Sequence, residues 1–508
     1  MSAAIEGLEP RGVWRWFEKI SEVPRGSGKE EKIRDFLLGF ARERGLEAQT
    51  DPAGNLVIRV PASPGREGEP PLILQGHMDM VWEKNKTGPG AAFNFETDPI
   101  SLVRRDGWIT AGGTTLGADN GIALAIALAA AEDPSLSHSP LELFFTVDEE
   151  TGLVGAVNMD PRLLTGKRLL NLDSEDENTL YIGCAGGVNT EGFLDLSLEP
   201  LPPGEWRRGI LSVTGCRGGH SGAEIHRGLA NALLIGMRIL LMLEQKTGTR
   251  LKALTGGGLH NVIPRECFAA LCFPAGEEEK VRSLIQGEGE SFCRAFGDIE
   301  PDMAVSLEVL KEPGWTAVFE EPGGDKSAGE SGEIVLTPES FKRAVSLVYA
   351  LPHGVIRMSR KMPDLVETST NLAAVKIAGG ALHVLTSQRS SGNFLRDDAA
   401  DRITAAFYAA GGSARQDNRY PGWDPNPDSP LLKTCAAAFR RINAREPEIK
   451  AIHAGLECGV IGDKIPGIDM VSLGPDIEDV HSPQERVSIP SVGRVWELLK
   501  IIMETPAL

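Results

Sequence analysis

The sequence predicts an α/β chain in which an open α/β-sheet domain is split by an inserted α+β unit built on an antiparallel sheet. Three observations carry this expectation. Short apolar, β-rich runs alternate with helical patterns through residues 1–186, and several end in His or acidic side chains, the pattern of an open α/β sheet with its site along the carboxyl edge. From 183–192 the texture shifts to alternating apolar and polar segments separated by helices. Past the Pro-rich stretch YPGWDPNPDSP the α/β texture returns. The expected organisation is a first part at 1–186, an insert at 187–415 and a second part at 416–508.

At 508 residues the chain is long enough for two or three domains of ~100 to 200 residues each. Hydrophobic residues make up 41% and charged ones 24%, an ordinary globular balance. The net charge of -19, from 52 Lys and Arg against 71 Asp and Glu, offers no basic surface to nucleic acid or to an anionic membrane. The N-terminal MSAAIEGLEPRGVWRWFEKIS lacks an apolar h-region and a cleavage site, and reads as a capped amphipathic helix rather than an export signal. The most apolar segment, 122–131, falls far short of the ~20 residues of a membrane span. Seven cysteines (Cys184, Cys216, Cys267, Cys272, Cys293, Cys435 and Cys458) are scattered without CxxC spacing. That fits reduced thiols in the cytoplasm and argues against a zinc–thiolate site.

Residues 30–44 carry helical periodicity (Ile33, Phe36, Leu37, Phe40) and stop at Gly45, with a short strand at 55–60 and a Pro/Gly loop at 61–71. PLILQGHMDM is a buried strand that delivers His77 and Asp79 past its carboxyl end. Two apart on an extended chain, they share one side, where a carboxylate can fix the tautomer of a metal-binding imidazole; a satisfied polar pair is the alternative. TTLGADNG sets Asp119 and Asn120 before a helix that is apolar almost all round. Asp119 is there either an N-cap or a carboxylate kept ionised by the helix dipole and free to bind. LELFFTVDEETG, at 141–152, is a buried strand ending in Asp148, Glu149 and Glu150. Three adjacent carboxylates repel, so the turn is solvated, neutralised by a cation, or built to raise the pKa of one carboxyl. KRLLNLDSEDE repeats the pattern and delivers Asp173.

Within the insert, strand-like 209–213, 266–273 and 303–310 and a helix at 230–243 accompany two Gly-rich turns with histidines, CRGGHSGAEIHRG and TGGGLHNVIP. A charged Gly/Ser loop occupies 320–333, and a strand at 381–387 and a helix at 399–410 close the unit. In the last part, 431–442 is a helix, HAGLECGVIGDK a small-residue loop with His453 and Glu457, IDMVSLGP a strand, and DIEDVHSPQER a loop presenting His481.

His77, Asp119, Glu150, Asp173 and His481, with Glu149 beside them, offer imidazole and carboxylate without thiolate, a donor set suited to zinc, manganese or cobalt. Two histidines and three acids suffice for two ions about 3.5 Å apart if one acid bridges, the arrangement that activates water and clamps a carbonyl.

GHMDM, LGADNG, VDEETG, NLDSE and VHSPQE together resemble the co-catalytic zinc aminoacylase and carboxypeptidase family. GCAGG, GGGLHNVIPREC, PHGVIRMS, ETSTNLA and HAGLECGV narrow the resemblance to the bacterial aminoacyl-histidine dipeptidases, and it runs from about residue 14 to the C-terminus. It implies a split catalytic domain with a zinc-peptidase-like mixed sheet and an inserted lid domain with a role in dimerisation. It also implies two zinc ions per subunit, replaceable by cobalt or manganese, a dipeptide substrate and a cytoplasmic homodimer. Asp119 is implied to bridge the ions, with His77 and Asp173 on one and Glu150 and His481 on the other. Asp79 would orient His77, and Glu149 would be the general base. From the lid, His220 would polarise the scissile carbonyl, reaching it by domain closure or from a neighbouring subunit. Asn261 and Arg389 would hold the free carboxylate or backbone of the substrate, and His453 is a further substrate-binding candidate.

The implied reaction is hydrolysis of Xaa-His and other unblocked dipeptides. An aminoacylase or carboxypeptidase on the same site is the competing enzyme, distinguished by whether a free substrate amine is required. A non-enzymatic zinc-dependent binding protein would show a missing base or ligand, and none is missing. The 320–333 loop is longer than the family pattern and bears only on lid geometry. His138, His353 and His383 have no partner motif and are expected to be structural, whereas His226 and His260 flank the lid motifs and stay open. Apart from the resemblance, Arg389 in TSQRSS reads as a surface arginine at a strand end.

Overall fold

A computed structural model describes residues 2–311, 319 and 333–506. The chain forms two compact units, Met1–Cys184 with Trp423–Leu508, and Ala185–Gly422. No described helix is long and apolar enough to cross a membrane. Of the 320–333 loop only Glu333 falls within the described residues.

The first unit is built on an eight-stranded mixed sheet in the order Glu47–Thr50, Leu56–Val60, Leu141–Thr146, Leu72–His77, Arg168–Asn171, Asp469–Ser472, Thr179–Cys184 and Glu448–Ile452. Leu72–His77 runs parallel to Leu141–Thr146 on one side and to Arg168–Asn171 on the other. Both Leu72–His77 and Leu141–Thr146 are buried from end to end, as strands covered on two faces must be, which is why they read as continuous apolar runs. The Ala118–Glu132 helix is buried along nearly its whole length because it has no polar face to offer water. Gly76 lets it approach: a Cβ there would meet Asn120 Oδ1 at 2.4 Å and the Ala123 Cβ at 2.8 Å.

A small sheet in the same unit, ordered Ile477–Glu478, Arg486–Ser488, Trp108–Ala111 and Leu102–Arg105, ties the C-terminal segment to the N-terminal one. Its pairs Ile477 with Val487 and Glu478 with Arg486 close a hairpin whose loop carries His481.

The inserted unit is a nine-stranded antiparallel sheet. Its order is Ala304–Val309, Trp206–Thr214, Cys267–Pro274, Arg250–Gly257, Val366–Ala378, Ala381–Ser390, Gly186–Asp195 and Ser413–Tyr420, with Gly354–Met358 paired to Val366–Ala378. Its core joins Leu240 of the Ala232–Lys246 helix, Phe341 of Pro338–Ala350 and Phe407 of Asn393–Ala409 to strand residues such as Leu254, Leu271 and Val384. The α/β architecture with an inserted antiparallel unit is therefore the one expected.

Two local expectations are corrected. The N-terminal helix is confined to Arg11–Ser21 and has no side-chain cap: Pro10 sits at the N-cap, and the residue before a proline is biased away from helix. Arg389 lies near the end of its strand, as expected, but it is buried rather than on the surface. The strand extends over Ala381–Ser390, Arg389 pairs with Ser369 and Gly187 on its two sides, and it is 7% exposed.

Candidate metal centre

Strand register sets the site. His77 lies level with Thr146, so residues 78–79 and 147–150 leave the sheet side by side. Gln75 lies level with Asn171, which puts Asp173, two residues on, level with His77. Asp119 and Asn120 depart from helical geometry at the start of Ala118–Glu132, and their peptide bond is cis. Asn120 Oδ1 accepts from the His77 backbone (3.2 Å) while its amide donates to the Leu172 carbonyl (3.0 Å), bracing the turn between two strand ends. Asp148 and His481 take left-handed backbone, with φ of 50° and 58°, a strain that concentrates at sites whose surroundings enforce it.

The structure brings His77, Asp119, Glu150, Asp173 and His481 together. His77 Nε2 lies 3.0 Å from Asp119 Oδ1 and 3.3 Å from Asp173 Oδ1. On the other side His481 Nε2 lies 3.2 Å from Asp119 Oδ2 and 2.9 Å from Glu150 Oε2. Two candidate ligand triads result, His77–Asp119–Asp173 and Asp119–Glu150–His481, each with its donor atoms within 4.8 Å of one another. They share Asp119, which gives one oxygen to each. Glu149 joins His77 and Glu150 in a further overlapping set.

Asp79 is fully buried. It accepts from the backbone of Glu149 (3.0 Å) and Glu150 (3.3 Å) and from the Ser27 hydroxyl (2.8 Å). Its Oδ1 stands 3.3 Å from His77 Nδ1, within ion-pair reach but outside hydrogen-bond geometry. Burial alone would raise its pKa, yet His77, the Glu149 amide and Ser27 hold it down at about 2. It therefore stays an anion that can orient the imidazole.

The charges of the cluster are unbalanced without a cation. Burial pushes Asp173 up to about 6, with Asp119 and Glu150 adding to it. Burial likewise drives Glu149 well above the carboxylate range, helped by Asp173 and Glu457. Hydrogen bonds from His481 and His77 overcome burial and hold Asp119 well below that range. The same contacts push His481 up to about 10, through Asp119 and then Glu150. His77 also rises well above its ordinary value, because Asp173 and Asp119 outweigh its burial. The imidazoles and carboxylates thus face one another where a divalent ion would balance their charges, and Asp173 Oδ1 remains a buried acceptor without a hydrogen-bond partner among the described residues. The donor set fits two borderline-hard divalent ions.

Several residues at the site carried no role in the sequence reading. Glu485, 2% exposed, accepts four backbone hydrogen bonds, from Leu116 (2.7 Å), Gly117 (2.9 Å), Ala118 (2.7 Å) and Asp119 (3.2 Å). It lies in the hairpin loop of His481, so one carboxylate fixes the turn of the shared ligand to the loop of the second histidine. Arg25, 1% exposed, donates to the carbonyls of Met78 (3.2 Å), Asp79 (2.9 Å) and Gly117. Burial pushes Arg25 down to about 10, and the charges of Glu485 and Asp79 oppose that. Glu457, fully buried, accepts from Gln75 (2.6 Å) and Thr146 (2.8 Å) and is pushed up to about 7 by burial. VHSPQE and HAGLECG contain the two glutamates, but nothing in VPRGSG marks Arg25.

A buried backbone N–H left without its acceptor costs about 1–3 kcal/mol, and Glu485 serves four backbone N–H groups. Glu485→Ala is therefore expected to lower the denaturant midpoint of its unit and to weaken divalent-metal binding measured by calorimetry. Wild-type values for both would exclude a bracing role.

The other predicted residues lie apart in sequence. His453 follows the Glu448–Ile452 strand, is 7% exposed and enters none of the ligand clusters among the described residues. In the inserted unit, His220 pairs with Val262 in an isolated bridge, and the Ser221 backbone donates to the Asn261 carbonyl (2.8 Å), so the two Gly-rich turns lie together. His220 Nδ1 accepts from the backbones of Gly222 (3.2 Å) and Ala223 (3.0 Å). A neutral imidazole whose Nδ1 accepts carries its proton on Nε2. Burial, reinforced by Arg389, lowers the His220 pKa and keeps the ring neutral. Asn371, from ETSTNLA, holds the second turn by donating to the carbonyls of His260 (3.0 Å) and Val262 (2.8 Å).

Arg389 donates to the Tyr420 hydroxyl (3.1 Å), and its Nε has no partner among the described residues. His260 also feels Arg389, after burial, and its pKa falls. His138 contacts the Ser139 carbonyl, His353 Nδ1 accepts from the Leu372 backbone, and His383 pairs with Glu191, all structural contacts.

Comparison with known proteins gives this geometry a family. The description "Peptidase family M20/M25/M40" matches residues 73–505. The cytosol non-specific dipeptidase of Escherichia coli strain K12 is 36% identical over 504 residues, covering 99% of each chain. The crystal structure of aminoacylhistidine dipeptidase from Vibrio alginolyticus superposes with a TM-score of 0.90 at 34% identity, covering 99% of this chain and 98% of that one. Aminopeptidase PepT from Bacillus cereus, 17% identical with 98% of each chain covered and a TM-score of 0.54, shares the fold. With two ligand triads meeting at one aspartate and these relatives spanning nearly its full length, the chain belongs to the M20/M25/M40 peptidase family.

Proposed function

We propose that the protein is a dinuclear-metal dipeptidase that hydrolyses Xaa-His and other unblocked dipeptides. The observation that carries this reading is the pair of ligand triads sharing Asp119, with Glu149 beside them. Zinc is the proposed metal, with cobalt or manganese as substitutes, since imidazole and carboxylate donors suit all three. Ions held by His77, Asp119, Asp173, Glu150 and His481 would lower the pKa of water at the site toward ~7 and polarise the scissile carbonyl.

The chain's own groups supply the remainder. A carboxylate oxygen of Glu149 takes the proton of the attacking water and hands it to the leaving nitrogen, a task that suits a carboxyl whose pKa burial has raised. Asp79 keeps His77 in one orientation. His220 offers its Nε2 hydrogen to the developing oxyanion, while Asn261 and Arg389 hold the substrate's carboxylate or backbone and His453 contributes to substrate binding. A cytoplasmic homodimer completes the proposal, and the seven unpaired cysteines suit a reducing compartment.

The test is a panel of dipeptides and their N-acyl counterparts, offered to the zinc-loaded and cobalt-loaded protein. Cleavage confined to unblocked dipeptides is expected. Cleavage of the N-acyl set would make it an aminoacylase or carboxypeptidase, and no cleavage of either would end the enzymatic reading.

For the inserted unit, His220→Ala is expected to bind zinc normally and to lose ~100-fold or more in turnover, the cost of one oxyanion donor. Near wild-type turnover would remove His220 from the mechanism. Sedimentation at micromolar concentration reads out the homodimer directly.

A further inference from the structure

We propose that Glu175 anchors the α-ammonium group of the dipeptide. This deepens the dipeptidase reading and rests on it. A cavity of about 300 Å3 adjoins the ligand Asp173, and its wall includes Ser174, Glu175 and Ser472, with Ile452 and Leu456 adding apolar surface. Ser174 is 6% exposed and Ser472 is 1% exposed, and neither Oγ has a hydrogen-bond partner among the described residues. Buried hydroxyls are ordinarily satisfied, so a pair left open on one cavity wall marks a place where a polar guest completes the bonding.

Two carboxylates besides Asp173 line this cavity, and they are not equivalent. Asp176 accepts from the Asn178 backbone (2.9 Å) and the Thr179 hydroxyl (2.8 Å), so both its oxygens are engaged. Glu175 is exposed to solvent, and its carboxylate makes no hydrogen bond or ion pair among the described residues. Partial desolvation, then the charges of Asp119 and Asp173, push its carboxyl up to about 7, with His481 opposing. It thus stands within electrostatic reach of both ligand triads without belonging to either. No lysine or arginine is among the described residues lining the cavity, and neighbouring Lys450 is paired with Glu448.

The chemistry of the substrate asks for such a group. In a dipeptide the ammonium nitrogen is separated from the scissile carbonyl carbon by a single α-carbon. A carbonyl placed at the metal centre therefore carries a positive charge to within a few ångströms of it. An uncommitted carboxylate on the wall shared with Asp173 selects an unblocked amine over its acylated or amine-free counterpart, because only the ammonium offers it an opposite charge and a charge-assisted hydrogen bond. None of the ligands can do this, since each is committed to the cluster, and Glu149 has to keep its proton-transfer role.

The experiment compares wild type, Glu175→Gln and Glu175→Asp on alanyl-histidine and on propionyl-histidine, its analogue lacking the amine, with zinc content measured for each protein. Wild type is expected to cleave alanyl-histidine and to discriminate strongly against propionyl-histidine. In Glu175→Gln the KM for alanyl-histidine should rise ~10- to 100-fold, as for one lost charge-assisted bond, with zinc content unchanged and the preference for the amine largely gone. Glu175→Asp should recover part of that preference, which a merely structural role would not predict. Wild-type KM and preference in Glu175→Gln would overturn the proposal, and so would loss of zinc by that variant. A wild-type enzyme that cleaves neither compound would instead overturn the dipeptidase reading itself.

Discussion

Exhaustive chelation is expected to abolish dipeptide hydrolysis, and zinc, cobalt or manganese to restore it. Without divalent ions the cluster offers only imidazole–carboxylate contacts, with His77 and His481 each within 3.2 Å of Asp119. Such a set has nothing to polarise a carbonyl, and water beside it keeps its ordinary acidity. The imidazole protons have to leave before either Nε2 can act as a ligand, so metal affinity should fall as pH falls. Parallel measurement of turnover and metal content by mass spectrometry decides the matter. Full activity with metal content near zero would end the dinuclear scheme.

Glu149→Gln is expected to lower turnover by ~100-fold or more while metal content stays near wild type. Glutamine keeps the size of the side chain and its contacts, but it cannot accept a proton. The five candidate ligands are untouched, which separates this variant from Asp119→Ala. Losing Asp119 removes an oxygen from both triads at once and should lose metal together with activity. Ordinary turnover in Glu149→Gln would show that another group is the base, and Glu457, buried nearby and raised to about 7, would be the first to test.

How much of this was legible in the sequence depended on how local its cause is. His77, Glu150 and Asp173 could be picked out because each follows a strand apolar enough to be buried, and a buried strand announces where its end emerges. Asp119 could be picked out because the helix after it has no polar face. His481 had a weaker signal, its place in the loop after the IDMVSLGP strand. It sits in a hairpin loop whose flanking strands, Ile477–Glu478 and Arg486–Ser488, are too short for periodicity to reveal, so the motif was needed to single it out.

The bracing by Glu485 and Arg25 was not legible at all. Both bind main-chain groups, which every residue type presents alike, so no pattern at 116–119 or at 78–79 records the contact. The inserted sheet was visible as strands but not as an order, since neighbours such as Arg250–Gly257 and Val366–Ala378 are more than a hundred residues apart in sequence. The alternative reading of Arg389 as a surface arginine missed its burial for a related reason. A polar run, TSQRSS, can be buried when its neighbours are polar strands that satisfy it, as Thr190 and Thr370 do for Gln388.

The place of Asp469–Ser472 between Arg168–Asn171 and Thr179–Cys184 has a consequence for the order of synthesis. A ribosome making this chain releases six strands of the first sheet, then the whole of 185–422, and only afterwards the strand that joins Thr179–Cys184 to the rest. The inserted unit is contiguous and can fold as soon as it emerges, whereas the unit around it has to wait with an open sheet. His481 and Glu485 emerge later still. A nascent chain therefore holds one ligand triad without the other, and its turn at 116–119 lacks the carboxylate that fixes it. A chain interrupted before residue 481 would therefore lack both the second histidine of the cluster and the carboxylate that braces the turn at 116–119.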